Sequence, residues 1–293
     1  MAAEHIIPGL EDPTCGIAVA AKQLIARGVG EDGEVWVHSM WSPLVIKASI
    51  NALLVGKKLI RMPHGCTDPE KLRFHWHKKR WIAPIERWMF RHADRIIATC
   101  EEEIAWIKSF EPAVKNVELI ELSPPKWENK HLFSQSESTR STSSESLKLL
   151  YVGRLHKLKG VNYLLDAIAQ LSDPRSVELR LIGKDEGEGK SLKKQAARLN
   201  LNAKFEGIVS EEAKNAAYDW CDTLVLPTLS ENFGLVIAEA LERGKRVITT
   251  DGAPAWGNGD DYDGRLIYIK GYRDGTPAER VRLLRDAIER FCK

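Results

Sequence analysis

Short apolar stretches alternate with stretches of helical periodicity along the whole chain, and this alternation restricts the fold more than any other feature. Such an order is typical of parallel sheets covered by helices. We therefore predict the α/β class, with doubly wound parallel sheets. The predicted strands are residues 5–9, 34–38, 58–62, 94–99, 117–122, 147–152, 177–183, 203–209, 223–228, 246–251 and 265–269. The predicted helices are residues 17–26, 43–55, 101–110, 161–171, 211–220 and 277–291, one that begins at Leu192 and one that contains Glu239.

The length of 293 residues favours two domains, and 43% hydrophobic residues suffice for a core in each. A polar run rich in Ser, Thr and Glu lies near the middle of the chain, and such a run buries too little apolar surface to become ordered. We predict a short first domain over residues 1–133, a linker or loop over 134–146 and a second domain over 147–293.

The overall composition excludes several classes of protein. A formal net charge of +2 argues against a nucleic-acid-binding polyelectrolyte. No apolar run reaches membrane-spanning length, and the N-terminus lacks the pattern of a secretory signal. We expect a cytoplasmic protein, at most peripheral on the inner face of the membrane. The cysteines form no CxxC pair and predict reduced thiols rather than disulfides or a zinc site; they are residues 15, 66, 100, 221 and 292.

Two glutamates frame the corner that follows the predicted strand 223–228. Glu231 precedes a helix and Glu239 lies inside it, eight residues later. Free amides at a helix start attract phosphate. A carboxylate would repel that phosphate, so its presence there is best explained if it accepts hydrogen bonds from sugar hydroxyls. Eight helical residues rise about 12 Å, so the pair suits a ligand with phosphate between two hydroxyl-rich rings, such as a nucleotide sugar. The plainer alternative is two solvated helix glutamates.

Two cations lie in the loop after the predicted strand 147–152. Arg154 and Lys159 belong to the segment G-R-L-H-K-L-K-G, which leads into the next helix. The guanidinium group is a planar fork and the ammonium group a point charge, and together they suit a leaving diphosphate. The alternative is two exposed cations on a loop.

The E-x-F-G segment with Glu239 and the G-R-L-x-x-x-K-G segment resemble the retaining GT-B glycosyltransferases of family 4, the glycosyl transferases group 1. The resemblance implies two Rossmann-like domains facing each other across a cleft, and sugar transfer from a nucleotide-diphosphate sugar without a cofactor or metal. It implies that Arg154 and Lys159 hold the donor phosphates. It also implies that Glu239 binds the ribose hydroxyls and Glu231 the sugar hydroxyls.

The resemblance extends to further residues of the donor site. It implies that Gly153, Asn232 and the amides of Phe233 and Gly234 approach the sugar or the phosphate. It places the residues after the strand at 203–209 beside the nucleobase, and these residues are Gly207, Ile208 and Val209. In the first predicted β–α loop the family approaches the diphosphate through paired glycines, whereas this chain has only Gly16, preceded by Cys15. A plain β–α turn is the alternative there.

A histidine follows the predicted strand 58–62. His64 lies in a Pro-His-Gly segment that is soon followed by an Asp-Pro pair, at the carboxyl end of a strand. The same segment occurs in the family, where the histidine faces the donor sugar. The resemblance implies that His64 hydrogen-bonds the sugar or the migrating group, and the alternative is a polar surface residue.

The segment between Lys71 and Arg95 carries eight Lys or Arg residues against Glu86 and Asp94. Its spacing predicts a helix with one face on the core. The basic side has three interpretations: a solvated face, a contact with anionic lipid or with a phosphorylated acceptor, and, more weakly, nucleic acid. The residues predicted on the core face are Ile82, Ile85, Met89 and Phe90. The interleaved aromatic residues are Phe74, Trp76, Trp81, Trp88 and Phe90.

Asp261 and Asp263 match a metal-binding D-x-D pattern, but they lie in a Gly/Asp-rich turn late in the chain and predict a turn, so we expect no metal. The hypothesis is a retaining hexosyltransferase acting on a glycan or lipid-linked acceptor in lipopolysaccharide or exopolysaccharide synthesis, with no nucleic-acid partner. The alternatives are a nucleotide-sugar epimerase or hydrolase of the same fold, and a catalytically silent nucleotide-sugar-binding module.

Overall fold

The computed structural model describes residues 3–10, 16–120, 146–257 and 262–292. The chain forms two compact units, Met1–Ser123 and Pro124–Lys293. The predicted linker 134–146 lies outside the described residues except for Ser146. Within the described residues, no helix is both long and apolar enough to cross a membrane.

The first unit contains a parallel sheet in which every strand pairs with the strand that precedes it in the chain. The strand order is β1-β2-β3-β4-β5. Its strands are β1 Glu4–Ile6, β2 Glu34–His38, β3 Lys58–Met62, β4 Arg95–Ala98 and β5 Val117–Leu119. Its helices are α1 Gly16–Ala26, α2 Pro43–Leu54, α3 Pro69–Arg73, α4 Trp76–His92 and α5 Glu101–Phe110.

A buried ion pair joins β3 to α4. Arg61 Nη2 lies 2.8 Å from Glu86 Oε2, and both side chains are fully buried. Arg61 Nη1 also donates to Ser49 Oγ at 2.6 Å, and Glu86 Oε1 accepts from the Trp41 amide at 2.7 Å. Each charge therefore keeps several hydrogen bonds, which a buried ion pair needs in order to persist.

Helix α4 packs on the core, but not through all the residues predicted from its spacing. Met89 and Phe90 are buried as predicted and Ile82 is partly buried, whereas Ile85 is 43% exposed. The position facing the core in that turn is taken by Glu86, because its carboxylate has the buried guanidinium of Arg61 as a partner. The prediction for Ile85 was wrong for this reason.

The second unit contains a six-stranded parallel sheet with the order β11-β10-β9-β6-β7-β8. Its strands are β6 Leu147–Val152, β7 Val177–Ile182, β8 Asn202–Gly207, β9 Thr223–Leu226, β10 Arg246–Thr250 and β11 Leu266–Ile269. Its helices are α6 Val161–Ala169, α7 Gly189–Arg198, α8 Glu211–Trp220, α9 Leu235–Glu242 and α10 Pro277–Cys292. Short 3₁₀ turns span Lys157–Lys159, Pro174–Ser176 and Pro254–Trp256. The predicted α/β class with parallel sheets is confirmed in both units, and the second sheet has the reversal of strand order that defines a doubly wound sheet.

Several boundaries in the second unit differ from the predicted ones, and two of these differences have clear local causes. Strand β9 ends at Leu226 rather than at residue 228, since Pro227 has no amide to donate to a sheet ladder. Helix α7 begins at Gly189, three residues earlier than predicted, because Asp185 Oδ1 accepts from the Gly189 amide at 2.8 Å.

Candidate functional site

The candidate site lies where the strand order of the second unit reverses. From β6 the chain continues outward to β7 and β8, then returns to place β9 on the other side of β6. The loops after β6 and β9 therefore leave adjacent strands in opposite directions, at the edge where α/β sheets bind ligands. These are the two loops that carry Arg154, Lys159 and Glu231.

The two loops approach each other closely. Gly160, which follows the Lys157–Lys159 turn, has a left-handed φ of 64°. A Cβ atom there would lie 2.0 Å from the Pro227 carbonyl oxygen. The backbone is also joined across the gap, because the Leu229 amide donates to the Leu158 carbonyl at 2.8 Å. The sequence needs glycine at 160 because no side chain fits between the loops.

Lys159 and Glu231 are in direct contact. Lys159 Nζ lies 2.6 Å from Glu231 Oε2 and donates to the Ser230 carbonyl at 3.2 Å. The lysine is nearly fully buried and the glutamate partly so. A buried ammonium group is held in one place by two oxygen atoms, so an anion that binds here meets a preorganised cation.

Arg154 lies in the same loop but is more exposed. Its Nη1 donates to Glu186 Oε2 at 2.8 Å, and half of its side chain faces solvent. The Tyr151 hydroxyl donates to the Arg154 carbonyl at 2.8 Å and fixes the backbone of the residue. A Cβ atom on Gly153 would lie 2.8 Å from that hydroxyl oxygen, so the glycine leaves room for it. Glu186 was not predicted, because it lies in the next β–α loop.

Hydroxyl and backbone groups hold the loop after β9. Thr250 Oγ1 donates to the Thr228 carbonyl at 2.5 Å, and the Glu231 amide donates to the Gly252 carbonyl at 2.7 Å. Gly234 has a φ of 73° and is the N-cap of α9. Trp256 Nε1 donates to the Phe233 carbonyl at 2.5 Å, and this hydrogen bond helps to fix the backbone of the segment predicted to face the ligand.

Helix α9 begins later than the spacing argument assumed. Its first residue is Leu235, so residues 231–234 are loop and the two glutamates are not separated by eight helical residues. The helical rise of about 12 Å therefore does not apply between Glu231 and Glu239. Gly234 permits the turn, because its left-handed backbone ends the loop and starts the helix.

Glu239 has two polar partners on α8. The Tyr218 hydroxyl donates to Glu239 Oε2 at 2.8 Å, and Lys214 Nζ lies 3.4 Å from Oε1. Burial and the nearby carboxylate raise the pKa of Tyr218 well above its usual range, so it is a hydrogen-bond donor at neutral pH. Arg243 stacks on the tyrosine ring, with its Cζ 4.6 Å from the ring centroid. The four-residue spacing of Lys214 and Tyr218 on a predicted helix placed them on one face, but nothing in the sequence connected that face to Glu239.

The other residues predicted in the donor site lie at loop positions. Gly207 ends β8 with a φ of 72°, Ile208 is 58% exposed, and Val209 packs against the core. Asn232 is partly buried, and its amide donates to Glu231 Oε1 at 3.0 Å. Gly16 is the exposed first residue of α1 in the first unit. Cys15 and Asp261 lie outside the described residues.

His64 lies in the first unit, in the loop after β3. It has a left-handed φ of 52°, which is uncommon for a residue with a side chain, and its ring is almost fully buried. The Glu103 carboxylate, which accepts from the amide of Gly65 and from the amide and hydroxyl of Thr99, holds the loop. His64 Nε2 lies 2.9 Å from His38 Nδ1. The alternative of a polar surface residue therefore does not apply to His64.

Asp263 has a left-handed φ of 61°, and its exposed carboxylate lies 3.4 Å from Arg265. Among the residues that the structure describes, no three His, Cys, Asp or Glu side chains are grouped as metal ligands.

Comparisons with known proteins point to one family. Residues 135–258 match the sequence model of the family described as Glycosyl transferases group 1. This segment includes the strands β6 to β10 and the loops after β6 and β9.

Two curated relatives illustrate the range of similarity. D-inositol 3-phosphate glycosyltransferase of Streptomyces coelicolor is 35% identical over 156 residues, which are 48% of this chain and 33% of that protein. An uncharacterised 41.2 kDa protein in the cps region of Klebsiella pneumoniae is 27% identical over 230 residues, 74% of this chain and 60% of that protein. The chain thus spans between a third and three fifths of the length of these relatives.

Solved structures show the fold. WaaG, a glycosyltransferase involved in lipopolysaccharide biosynthesis, superposes with a TM-score of 0.71 at 16% identity, over 99% of this chain and 90% of WaaG. Anabaena Alr3699/HepE, solved in complex with UDP and glucose, gives a TM-score of 0.64 at 20% identity, over 95% of this chain and 75% of that one. The chain has the two Rossmann-like domains of the GT-B architecture.

Proposed function

We propose that this chain, whose residues 135–258 match the group 1 glycosyltransferases, is a retaining, family 4-like transferase that uses a nucleotide-diphosphate sugar. One observation carries the proposal. The contact of Lys159 with Glu231, 2.6 Å long, brings a cation and a carboxylate together at the reversal of the strand order. That arrangement suits a ligand whose diphosphate and sugar hydroxyls lie side by side.

Different residues of the site bind different parts of the donor. Arg154 and Lys159 stabilise the charge that develops on the leaving diphosphate, an electrostatic role that requires no metal. Glu231 accepts from the sugar hydroxyls and Glu239, oriented by Tyr218, accepts from the ribose hydroxyls. The residues after β8 (Gly207, Ile208 and Val209) flank the nucleobase.

Retention follows from attack on the same face as the departing group. The bond from the sugar C1 to the diphosphate oxygen breaks while the acceptor oxygen bonds to C1. The acceptor's hydroxyl proton moves to the diphosphate oxygen, which makes the leaving group the base. Lys159 and Arg154 favour this step by holding the diphosphate in place, and His64 contacts the sugar.

The acceptor we propose is a glycan or a lipid-linked glycan of lipopolysaccharide or exopolysaccharide synthesis, at the cytoplasmic face of a membrane. Support comes from the structural similarity to WaaG, a glycosyltransferase involved in lipopolysaccharide biosynthesis, and from the cps-region relative in Klebsiella pneumoniae. The proposal predicts that crude lipid-linked glycan supports turnover that free monosaccharides do not.

A surface on α4 supports a membrane partner for this function. Trp81, Ile85 and Trp88 are 72%, 43% and 40% exposed and follow one another by four and three residues, so they form a single outward stripe. Arg80, Arg87 and Arg91 lie exposed along one side of this stripe. The only carboxylate of α4, that of Glu86, is buried, and the Glu111 carboxylate that lies 3.8 Å from Arg91 Nε is mostly buried.

An apolar stripe beside arginines matches an anionic lipid surface, where the indoles enter the interface and the guanidinium groups meet phosphates. We expect the protein to sediment with phosphatidylglycerol vesicles and not with phosphatidylcholine vesicles. The double variant Trp81→Ser/Trp88→Ser should lose this binding. Trp76→Ser is the matched control, since Trp76 is 42% exposed but lies five residues from Trp81 and thus off the stripe. Equal binding by both variants would exclude the stripe as the contact.

The test of the enzyme begins with donor binding. In a thermal-shift screen of nucleotide diphosphates and nucleotide sugars, a ligand of the folded chain raises the melting temperature by mass action. We expect one preferred ligand, whose shift is lost in Arg154→Ala and in Glu239→Ala. Product analysis with that donor then shows whether the anomeric configuration is retained.

Glu231→Ala separates the proposal from its alternatives. It should fold and bind nucleotide but transfer no sugar, whereas turnover at the wild-type rate would exclude the assigned site. Release of free nucleotide from the donor alone, with no acceptor, would favour the epimerase or hydrolase. Binding without any turnover in the wild-type chain would favour the silent module.

A further inference from the structure

Both cations assigned to the diphosphate are already paired with carboxylates in the second unit. Lys159 Nζ lies 2.6 Å from Glu231 Oε2, and Arg154 Nη1 lies 2.8 Å from Glu186 Oε2. Two cations and two carboxylates leave this part of the site without net charge. A diphosphate that binds to the cations therefore also meets the carboxylates, and each carboxylate repels it unless that carboxylate gains a hydrogen-bond donor or turns toward solvent.

The two carboxylates differ in what a bound donor offers them. Under the proposed function Glu231 accepts from hydroxyl groups of the sugar, and these replace its contact with Lys159. The proposed function assigns no part of the donor to Glu186, which lies in the loop after β7. The Glu186 side chain is 28% exposed, so water can solvate its carboxylate once Arg154 has turned away. Glu186 is therefore a partner for Arg154 in the empty site only.

The backbones of the loops after β6 and β7 are joined to each other. The Leu155 amide donates to the Lys184 carbonyl at 2.8 Å, and the Glu186 amide donates to the Leu155 carbonyl at 3.1 Å. The loops are also close at their start, because a Cβ atom on Gly183 would lie 2.0 Å from the Gly153 carbonyl oxygen. The ion pair thus extends from a fixed backbone, and it can be broken by rotation of the side chains alone.

The carboxylate next to Glu186 in the chain has a different role. Asp185 Oδ1 accepts from the amides of Gly187 and Gly189 at 2.9 and 2.8 Å and thereby holds the start of α7. Among the residues that the structure describes, Glu186 is the one carboxylate in contact with Arg154. The contact is a single hydrogen bond, and half of the arginine side chain is in solvent. Ion pairs with this exposure are weak, so a diphosphate can displace the carboxylate.

We propose that Glu186 competes with the diphosphate for Arg154. It neutralises the guanidinium group in the empty site, loses this contact when a diphosphate binds, and regains it when the product nucleotide diphosphate leaves. Glu186 thus weakens the binding of diphosphate compounds and favours the departure of the product. The presence of a diphosphate at Arg154 rests on the proposed function, whereas the ion pair is a contact within the second unit.

Calorimetry on the full chain at low ionic strength tests the competition with two probes. These are inorganic pyrophosphate, which is a diphosphate without base or sugar, and the nucleotide diphosphate preferred in the thermal-shift screen. Glu186→Gln keeps the shape of the side chain and removes its charge. We expect the Kd for both probes to fall about two- to fivefold, the range for one exposed ion pair. A merely structural role would raise the Kd, and the absence of tighter binding with both probes would overturn the inference.

Two further variants separate the contact with Arg154 from a general effect of charge. Glu188→Gln is the matched control, because Glu188 lies in the same loop and the structure shows no ion pair between it and Arg154. We expect a smaller change of Kd in this variant than in Glu186→Gln. Glu186→Asp keeps the charge but shortens the side chain, so it should also bind pyrophosphate more tightly than the wild type. Equal gains in Glu186→Gln and Glu188→Gln, or a wild-type Kd in Glu186→Asp, would overturn the competition.

Product inhibition connects the ion pair to the reaction. The inhibition constant of the product nucleotide diphosphate should fall in Glu186→Gln by the same factor as its Kd. If Glu186→Gln binds pyrophosphate more tightly but the wild-type chain transfers no sugar from any nucleotide sugar, the proposed function fails and the competition stands. If the wild-type chain transfers sugar and Glu186→Gln binds neither probe more tightly, the competition fails and the proposed function stands.

Discussion

Lys159 Nζ lies 2.6 Å from Glu231 Oε2, although the two residues are 72 positions apart in the chain. One follows β6 and the other follows β9, and these strands are neighbours in the sheet. The contact exists because the strand order reverses between them. Each charge compensates the other while no anion is bound.

Removing the lysine should affect the reaction more than the fold. In Lys159→Ala the Glu231 carboxylate stays near the expected diphosphate without its cation, so repulsion replaces attraction. We expect kcat/KM to fall by about 10- to 100-fold, since charge-assisted hydrogen bonds contribute about 1.5–3 kcal/mol. Steady-state rates with the preferred donor measure this. Lys157→Ala, an exposed lysine of the same turn, should keep at least half of the wild-type rate, and equal losses in both variants would argue for a general charge effect.

Tyr218 should control nucleotide affinity through Glu239. Tyr218→Phe removes the hydroxyl that donates to Glu239 Oε2 at 2.8 Å and leaves the ring under Arg243. We expect the Kd for the preferred nucleotide diphosphate to rise about three- to tenfold, the effect of one lost hydrogen bond, as measured by calorimetry. Tyr163→Phe is the matched control, because its hydroxyl contacts Arg280 elsewhere in the unit. An unchanged Kd in Tyr218→Phe would indicate that Glu239 does not bind the ribose.

Gly160→Ala should destabilise the second unit through a steric clash. The added methyl group would meet the Pro227 carbonyl oxygen at 2.0 Å, and φ is left-handed at 64°. Gly271→Ala is the matched control, since its φ is 73° and nothing lies within 4 Å of the added carbon. In Gly271→Ala the free energy of unfolding should fall only by the conformational cost of a left-handed residue, about 1–2 kcal/mol. Gly160→Ala adds about 1–3 kcal/mol for overpacking.

Urea unfolding followed by circular dichroism measures both glycine variants. Equal losses of unfolding free energy would mean that the two loops move apart at little cost. A larger loss in Gly160→Ala would confirm that their close approach is part of the folded state.

The buried imidazoles should make the first unit sensitive to acid. Burial lowers the pKa of His64 to about 3 and of His38 to about 2, from 6.5 in the absence of burial. Between pH 6.5 and about 3 the unfolded chain therefore binds protons that the folded chain does not. The free energy of unfolding should decrease as the pH falls through this window, by about 1.4 kcal/mol per pH unit for each ring.

His38→Phe isolates this effect from the carboxylates, which titrate in the same range. The slope of unfolding free energy against pH, measured by urea unfolding between pH 4 and 6, should be smaller in the variant by the contribution of one ring. His77→Phe should keep the wild-type slope. A wild-type slope in His38→Phe would mean that His38 is protonated in the folded chain.

The alternation of strands and helices was sufficient to predict the α/β class and its parallel sheets, whereas the GT-B architecture was predicted from the resemblance to a family. Residues 34–38, 58–62 and 147–152 form strands with the predicted bounds, because each is a short apolar run between clear turn signals. The same alternation placed Arg154, Lys159 and Glu231 in loops at one edge of a sheet. The roles of these three residues in donor binding stay predictions.

The partners of the predicted site residues could not be found from the sequence. Glu186 contacts Arg154, Tyr218 contacts Glu239 and His38 contacts His64, and in each pair the partner comes from a different strand, helix or loop. Spacing along the chain predicts contacts within a helix or a turn, but contacts between elements depend on the order of the strands. The exposure of Ile85 was missed for a related reason, since the buried position beside it was decided by Arg61 on β3.

The two strand orders imply two courses of assembly during synthesis. In the first unit each strand finds its neighbour in the segment made just before it. In the second unit β6 pairs with β7 early, while its other edge stays open until β9, which pairs at Leu149 with Thr223, has been made. An open strand edge invites wrong pairing. The meeting of Lys159 with Glu231 is thus a late event, and a chain interrupted before residue 231 has a complete β6–α6 loop but nothing to complete the pair.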